Sequence, residues 1–345
     1  MADGEKSSFT TKPRSLHRDT DYKWGGDGGE QWTDAVDQSD GITVTDDGSI
    51  SHGAVLPTSD AAQEDTITID GTDYKRYVFT TDGTLTVTDR VTADVLVVGG
   101  GGGGAGGGGG AGGVVLKRGV TLDGRDYPVT VGAGGVGSTH PYESGNGANG
   151  DDSYFDANGA DELRGRGGGG GGGENGSAAG KDGGSGGGTG INTGVGGGAA
   201  TQPGTNPDAD IDAGTSGGYA YNTSRPNSTA GGGGAGENAG VDSAGKADPG
   251  HGGDGIDFTS TFGTDVGENG WFGGGAAGGG INDQTDVHTN YLADGGRGGG
   301  AEGSNNISSR PAQAVANTGG GGAHGTQNYE PGDGADGIVI VRVPA

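Results

Sequence analysis

The chain has no cysteine, so neither a disulfide framework nor a thiolate metal site is open to it. It has no run of the roughly 18 apolar residues that a membrane-spanning helix needs. Its start, MADGEKSSFTTKPRSLHRD, lacks the apolar stretch of an export signal, which predicts synthesis in the cytoplasm and exit by another route. Basic residues are scarce: 19 lysines and arginines stand against 46 acidic residues, a formal charge of −27. A phosphate backbone needs a basic face, so nucleic acid is not expected as a partner, and an anionic membrane surface is disfavoured for the same reason. The acidic excess is spread along the chain, as on an ordinary acidic surface or on a protein kept soluble in high salt, where screening relieves self-repulsion. Eleven prolines and unbroken glycine runs exclude a collagen triple helix.

What is abundant is glycine, at 91 of 345 residues. Ten fall in the first 98 residues and 81 in the remaining 247, so the composition changes at Val98. The stretch Gly99–Gly113 reads GGGGGGAGGGGGAGG, and shorter runs follow, among them Gly167–Gly173, Gly183–Gly188, Gly273–Gly280 and Gly319–Gly322. Such tracts have no side chains to bury, and ordering each residue costs about 1–2 kcal/mol. Main-chain hydrogen bonds must therefore hold them. An extended left-handed helix of three residues per turn points every N–H and C=O outward, so parallel rods can satisfy one another, with Cα–H···O contacts at close range. Only glycine allows that approach; alanine is tolerable at an outer position. The expected fold is mainly β and irregular: a polyglycine II helix bundle, or sandwich, capped by a small antiparallel β region, with almost no α-helix.

The order of elements follows from periodicity. Residues 1–40 are polar and irregular, and Tyr22, Trp24 and Trp32 form an aromatic cluster that either docks to another subunit or packs on this chain's own β region. From Ile42 the period becomes two: Ile42 and Val44, Ile67 and Ile69, Tyr77 and Phe79, Leu85 and Val87 alternate with polar residues. Asp47-Gly48, Asp70-Gly71 and Asp82-Gly83 are hairpin dipeptides between them, which predicts one antiparallel sheet with one buried face. Val95–Val98, Val114–Leu116, Tyr127–Val131 and Ile338–Val343 are further strands bracketing the glycine region, placed to pair as a cap. The expected organisation is a docking arm over 1–40, a β region over 41–98, a glycine bundle with exposed loops over 99–337, and a C-terminal strand over 338–345. Helix is expected at most as short turns near Asp161–Arg164 and Arg310–Ala316.

Motifs for chemistry are few. Glycine density makes G-x-G-x-x-G matches accidental, and no G-K-[ST] occurs, since Asp182 follows Lys181 and Ala247 follows Lys246. Gly252–Asp257 resembles half of a calcium nonapeptide repeat, but it occurs once and Thr259 replaces the apolar residue. The six histidines lie in unrelated loops, no nucleophile elbow is present, and nothing singles out a carboxylate pair among the acidic residues. No catalytic residue, metal site or cofactor is expected, and the chain reads as no enzyme. Asn175, Asn222, Asn227 and Asn306 open glycosylation sequons, frequent by chance in such loops. Recognition remains: Tyr142, Tyr219, Tyr221, Trp271, Phe272, His288, Tyr291 and Tyr329 lie in glycine-flanked loops. Aromatic faces at held loop tips bind sugars or protein surfaces, or else they cap the ends of the bundle.

The run VLVVGGGGGGAGGGGGAGGVV, then YPVTVGAGG, repeated glycine blocks and the closing GADGIVIVRV resemble the glycine-rich tail-fibre and receptor-binding proteins of tailed viruses over about Tyr77–Val343. In construction the chain is also similar to the distal tail-fibre adhesins of T-even-like phages and to the glycine-rich extracellular domain of anaplastic lymphoma kinase. The resemblance implies host attachment from the exterior of a virion, with other tail or fibre proteins and a host surface glycan or glycoprotein as partners. A homotrimer is possible, as tail fibres are often trimeric. The acidity departs from the bacterial-virus members and points to a virus of a halophilic archaeon. A purely structural fibre, turret or decoration component is the alternative, and a surface-glycan depolymerase a third reading.

Overall fold

The computed structural model describes residues 42–44, 50–52, 55–139, 145–173, 179–190, 196–219, 229–240, 250–279, 293–303, 311–325 and 329–345. The chain divides into two compact units, Met1–Val55 and Leu56–Ala345. In the first, β1 (Ile42–Val44) and β2 (Ile50–His52) pair antiparallel. Tyr22, Trp24 and Trp32 lie outside the described residues.

The second unit carries the remaining strands in chain order: β3 (Thr58–Ser59), β4 (Gln63–Ile69), β5 (Thr72–Phe79), β6 (Gly83–Thr86), β7 (Val91–Val98), β8 (Val114–Leu122), β9 (Asp126–Thr130), β10 (Ser153–Phe155), β11 (Leu163–Gly165), β12 (Ile211–Ala213), β13 (Ile256–Asp257), β14 (Trp271–Phe272) and β15 (Ile338–Pro344), with the single turn of helix α1 (Thr259–Phe262) after β13. They form a six-stranded sheet ordered β12-β8-β7-β15-β5-β4, a five-stranded sheet ordered β11-β10-β9-β6-β3, and the pair β13-β14. The last strand fills the middle of the larger sheet, with Val339 opposite Phe79 on one side and Val97 on the other.

Two corrections to the expected cap follow. Asp82-Gly83 does not make a hairpin: β5 and β6 belong to different sheets, and the Asp82 carboxylate accepts a hydrogen bond from the Val131 N–H at 2.9 Å. Asp70-Gly71 does turn β4 into β5, with φ of 50° and 79° as a primed turn requires. The larger sheet is also buried on both faces. Tyr77, Phe79, Val95, Val97, Val115, Val339 and Val341 share a core with Leu85, Tyr127, Val129 and Phe155 of the smaller sheet. The alternate residues Val78, Leu96, Val98, Val114, Leu116, Ile338 and Ile340 pack against Phe258, Phe262 and Phe272. Strands covered on both sides read as continuous apolar runs, which is why VLVV and IVIV carry no alternation.

Beyond Val98 the hydrogen bonds acquire a period of three. Gly100 and Gly103 donate to Asp151 and Ala148, Gly101 and Gly104 to Ala335 and Gly332, and Gly99 and Gly102 to Gly113 and Gly110, at 2.8–3.1 Å. Carbonyls in the same stretch accept from Gly168 and Gly171, from Gly135 and Ser138, and from Gly322. The rod Gly99–Gly104 thus touches six neighbours. The returning rod Gly107–Gly113 is ringed in the same way by 99–104, 166–172, 185–188, 230–233, 274–276 and 319–322. This is the polyglycine II lattice. Its tightness is shown by Gly102, where an added Cβ would lie 2.5 Å from the carbonyl carbon of Gly169, and by Gly108, 2.5 Å from the oxygen of Ala276.

Ala105 and Ala111 correct the expectation that alanine takes outer positions, because both are fully buried. Ala105 opens the bend at 105–107, and Ala111 lies in the rod just before β8, where its N–H donates to Gly233 and its carbonyl accepts from Ser185. Around Asp161–Arg164 the chain forms β11, not a helical turn, and Arg310 lies outside the described residues. No helix among the described residues is long and apolar enough to cross a membrane.

Candidate functional site

The lattice has two distinguishable ends. Gly99 continues directly from β7, so its level, with Gly113, Arg166, Asp151, Gly319 and Asp336, marks the end that meets the sheets. Two turns further lies the level of Ala105, with Gly107, Gly172, Gly188, Ser138, Gly332 and Gly325. From there hydrogen bonds run on to Ala230, Thr229, Gly279, Gly250 and Gly218. Between residues 138 and 329 and around them, the described chain stops at 139, 173, 190, 219, 240, 279, 303 and 325 and resumes at 145, 179, 196, 229, 250, 293, 311 and 329. Those described ends stand at or beyond this second level, remote from the sheets.

That registration sorts the expected recognition residues. Tyr142, Tyr221, His288 and Tyr291 lie outside the described residues, in segments flanked by the remote level, as do the sequon asparagines Asn175, Asn222, Asn227 and Asn306. Tyr219 and Tyr329 are described, half-buried, and border two of those segments. Trp271 and Phe272 belong to the opposite end. Phe272 is a correction: it is fully buried, with its ring 6.2 Å from that of Phe258, because β14 supplies the apolar cover for the outer face of the larger sheet. Trp271, its neighbour on the strand, points the other way and is half-buried beneath the Arg297 guanidinium at 5.4 Å.

Among the described residues, one titratable group lies in the interior of the remote level. His324 is 1 % exposed, and its Nδ1 donates to the Gly106 carbonyl at 2.9 Å. Burial pushes its pKa down to about 4, against hydrogen bonding to the Gly106 and Ala105 carbonyls, so the ring is neutral near pH 7. It fills the space beside Gly279, where a Cβ would collide with the imidazole. Thr229 Oγ1 closes the same corner, donating to the Gly279 carbonyl at 3.0 Å and accepting from its N–H at 2.8 Å.

At the sheet end two arginines in direct cross-strand register, Arg76 on β5 and Arg342 on β15, hold the chain around α1. Arg76 has no exposed surface, and it donates to Asp65 at 2.5 and 3.0 Å, to Asp265 at 2.6 and 2.8 Å, and to the Phe262 carbonyl at 2.5 Å. Burial opposes its charge, but the two carboxylates outweigh it and hold the pKa above the usual arginine value. Arg342 donates to Asp94 and to the Thr261 carbonyl while lying 4.2 Å over Tyr74. Opposed like charges would repel; three aspartates and two helix carbonyls convert them into a clamp.

A further set of side chains was not singled out by the sequence. Along the outer rod 146–152, Asn146, Asn149 and Asp152 accept from the N–H groups of Gly173, Gly170 and Gly167, at 2.8–3.0 Å. Both asparagines also donate across the groove, Asn146 to the Ala179 carbonyl and Asn149 to that of Asp182. The motif recurs with the same spacing: Asp333 and Asp336 accept from Gly137 and Gly134, and His251 and Asp254 from Asp294 and Arg297. Asp254, one of the two acidic residues of the calcium-like stretch, serves here as a rung. Among the described residues no group of three or more His, Cys, Asp or Glu is placed to hold a metal ion. The signal was present as NGANGDD, HGGD and DGAD, polar residues at every third position.

A family model described as a glycine-rich domain matches residues 80–344, from the smaller sheet through the lattice to the closing strand. No curated protein matches the chain at a significant level.

Proposed function

The chain belongs to the glycine-rich domain family, and from that premise we propose that it is a virion tail-fibre or spike adhesin that presents recognition loops at the remote end of its lattice. One observation carries the reading. Within the second unit the rods return so that Tyr219, Tyr329 and the described flanks of the segments that follow residues 139, 173, 190, 219, 240, 279, 303 and 325 stand at one end, while that unit's two larger sheets occupy the other. A lattice in which central rods bond to six neighbours is stiff, and stiff supports lower the ordering cost of loops that bind. The aromatic residues Tyr142, Tyr219, Tyr221, Tyr291 and Tyr329, with His288, are the recognition candidates, and a host glycan or surface glycoprotein is the ligand class. Residues 1–40 serve as the arm that docks to other tail or fibre proteins, with three copies as one possible unit. The charge of −27 fits a virus of a halophilic archaeon.

The test is adsorption. Fluorescently labelled full-length protein is incubated with halophilic archaeal cells and with their isolated envelope glycoproteins, in high salt. Replacing Tyr219, Tyr291 and Tyr329 together by serine should reduce binding at least tenfold, whereas Trp271→Ser should leave it intact. Equal binding by the triple variant would remove these residues from the site. Wild-type protein that binds no cell would favour a purely structural component, and release of reducing sugar would establish a depolymerase.

A further inference from the structure

The polar rungs on the outer rods have a geometry that a solvated surface does not require. A lattice of threefold rods has no natural boundary, since each outermost rod exposes peptide groups able to accept another rod, as the edge strand of a sheet does. In this chain those groups meet side chains instead. Asn149 accepts from the Gly170 N–H at 3.0 Å and donates to the Asp182 carbonyl at 2.8 Å, and Asn146 repeats this one turn away with Gly173 and Ala179. Each carboxamide bridges two rods with one donor and one acceptor, as the peptide group of an additional rod would. Asp333 and Asp336 place carboxylates on the N–H groups of Gly137 and Gly134 at 2.7 and 2.8 Å, and being acidic they also repel an identical face. We propose that these rungs are lateral stops, which close the lattice against addition of a glycine rod from a second copy of the chain.

The partner excluded is thus a copy of the chain itself, because a face stripped of its asparagines offers the bare N–H groups of Gly170 and Gly173 beside the bare carbonyls of Ala179 and Asp182, and two such faces complement each other. Glycine is the residue that would permit the approach. The rungs therefore stand where glycine would be the dangerous choice.

The experiment compares the full chain with Asn146→Gly/Asn149→Gly, with Asp333→Gly/Asp336→Gly, and with Asn146→Asp/Asn149→Asp, by sedimentation velocity over a hundredfold concentration range and by circular dichroism. Each glycine pair should associate at concentrations at least tenfold below any association of the wild type. The aspartate pair keeps the N–H groups covered and should sediment as the wild type does. Folded glycine variants that sediment as the wild type would overturn the proposal. So would loss of fold in both glycine pairs without association, which would assign the rungs to stability alone. Association of the aspartate pair to the same extent would overturn it too, because the acceptors would then not be what matters.

Discussion

The lattice makes a sharp demand on Gly101. Its N–H donates to Ala335 at 2.8 Å, its carbonyl accepts from Gly135 at 2.8 Å, and Gly320 on the third side accepts from Ala335 at 2.8 Å. A Cβ at this position would lie 2.5 Å from the carbonyl carbon of Gly320, nearer still to its oxygen, and 2.9 Å from the oxygen of Gly319. Ordinary contact begins at 3.4 Å, so the two rods must separate by at least 0.9 Å (3.4 − 2.5). All the obstructing atoms are backbone, so no rotamer change relieves the clash. Separation breaks or stretches three hydrogen bonds at about 1 kcal/mol each, and overpacking adds about 1–3 kcal/mol. Against this, alanine restricts the unfolded chain and returns about 0.4–1 kcal/mol. Gly101→Ala should therefore cost roughly 3–5 kcal/mol, a large share of the roughly 5–15 kcal/mol that holds a domain together. Gly196→Ala is the control, since nothing lies within 4 Å of a Cβ there, and it should be neutral or slightly stabilising. Urea unfolding of the two variants followed by circular dichroism decides the matter. A Gly101→Ala protein as stable as Gly196→Ala would refute the close-packed lattice.

Three further outcomes are expected. His324 is held at a pKa of about 4 against an ordinary 6.5, so the unfolded state binds more protons between those values. Stability contributed by the neutral ring is present above pH 6.5 and is lost as pH falls toward 4, by about 3 kcal/mol. Urea titrations at pH 7 and 4.5 should show that His324→Gln has a shallower acid loss than the wild type, and equal losses would exclude the assignment. Arg76→Met leaves Asp65, Asp265 and the Phe262 carbonyl without their donor and should destabilise by about 3–5 kcal/mol; Arg76→Lys should recover less than half, because one ammonium cannot span two bidentate carboxylates, and full rescue would contradict the clamp. Phe272→Ala should cost about 3–5 kcal/mol in thermal or urea unfolding, as a buried core residue does, whereas Trp271→Ala should cost under half of that.

The lattice was legible in the sequence because glycine is the one residue whose absence of Cβ has a direct structural consequence. A run of it can be ordered only by main-chain hydrogen bonds, and the threefold rod is the arrangement that exposes all of them. Strand identity was also legible from apolar pattern and turn dipeptides, as Asp70-Gly71 shows. The assignment of strands to sheets was not. Asp82-Gly83 carries the same local signal, and only the competition for two separate cores sends β6 to a different sheet from β5. Phe272 failed as a surface residue for a similar reason: its glycine neighbours say nothing about the apolar face waiting at Leu96 and Ile340. The rungs lay between these cases, since their spacing was written in the chain while their partners were not.

The sequence by itself thus determined the kind of order available to the chain, rods where side chains are missing and strands where β-branched residues recur. Only the tertiary structure decided which rods become neighbours, at which end the described stretches stop and which polar residues bridge the outer rods. Pairing between rods is a peptide-to-peptide interaction that every glycine offers equally, so its register carries no side-chain code. What surrounds those pairings is particular to this chain: the sheets adjoin the rods at one end, His324 bonds the Gly106 carbonyl inside, and polar side chains bridge the outer rods.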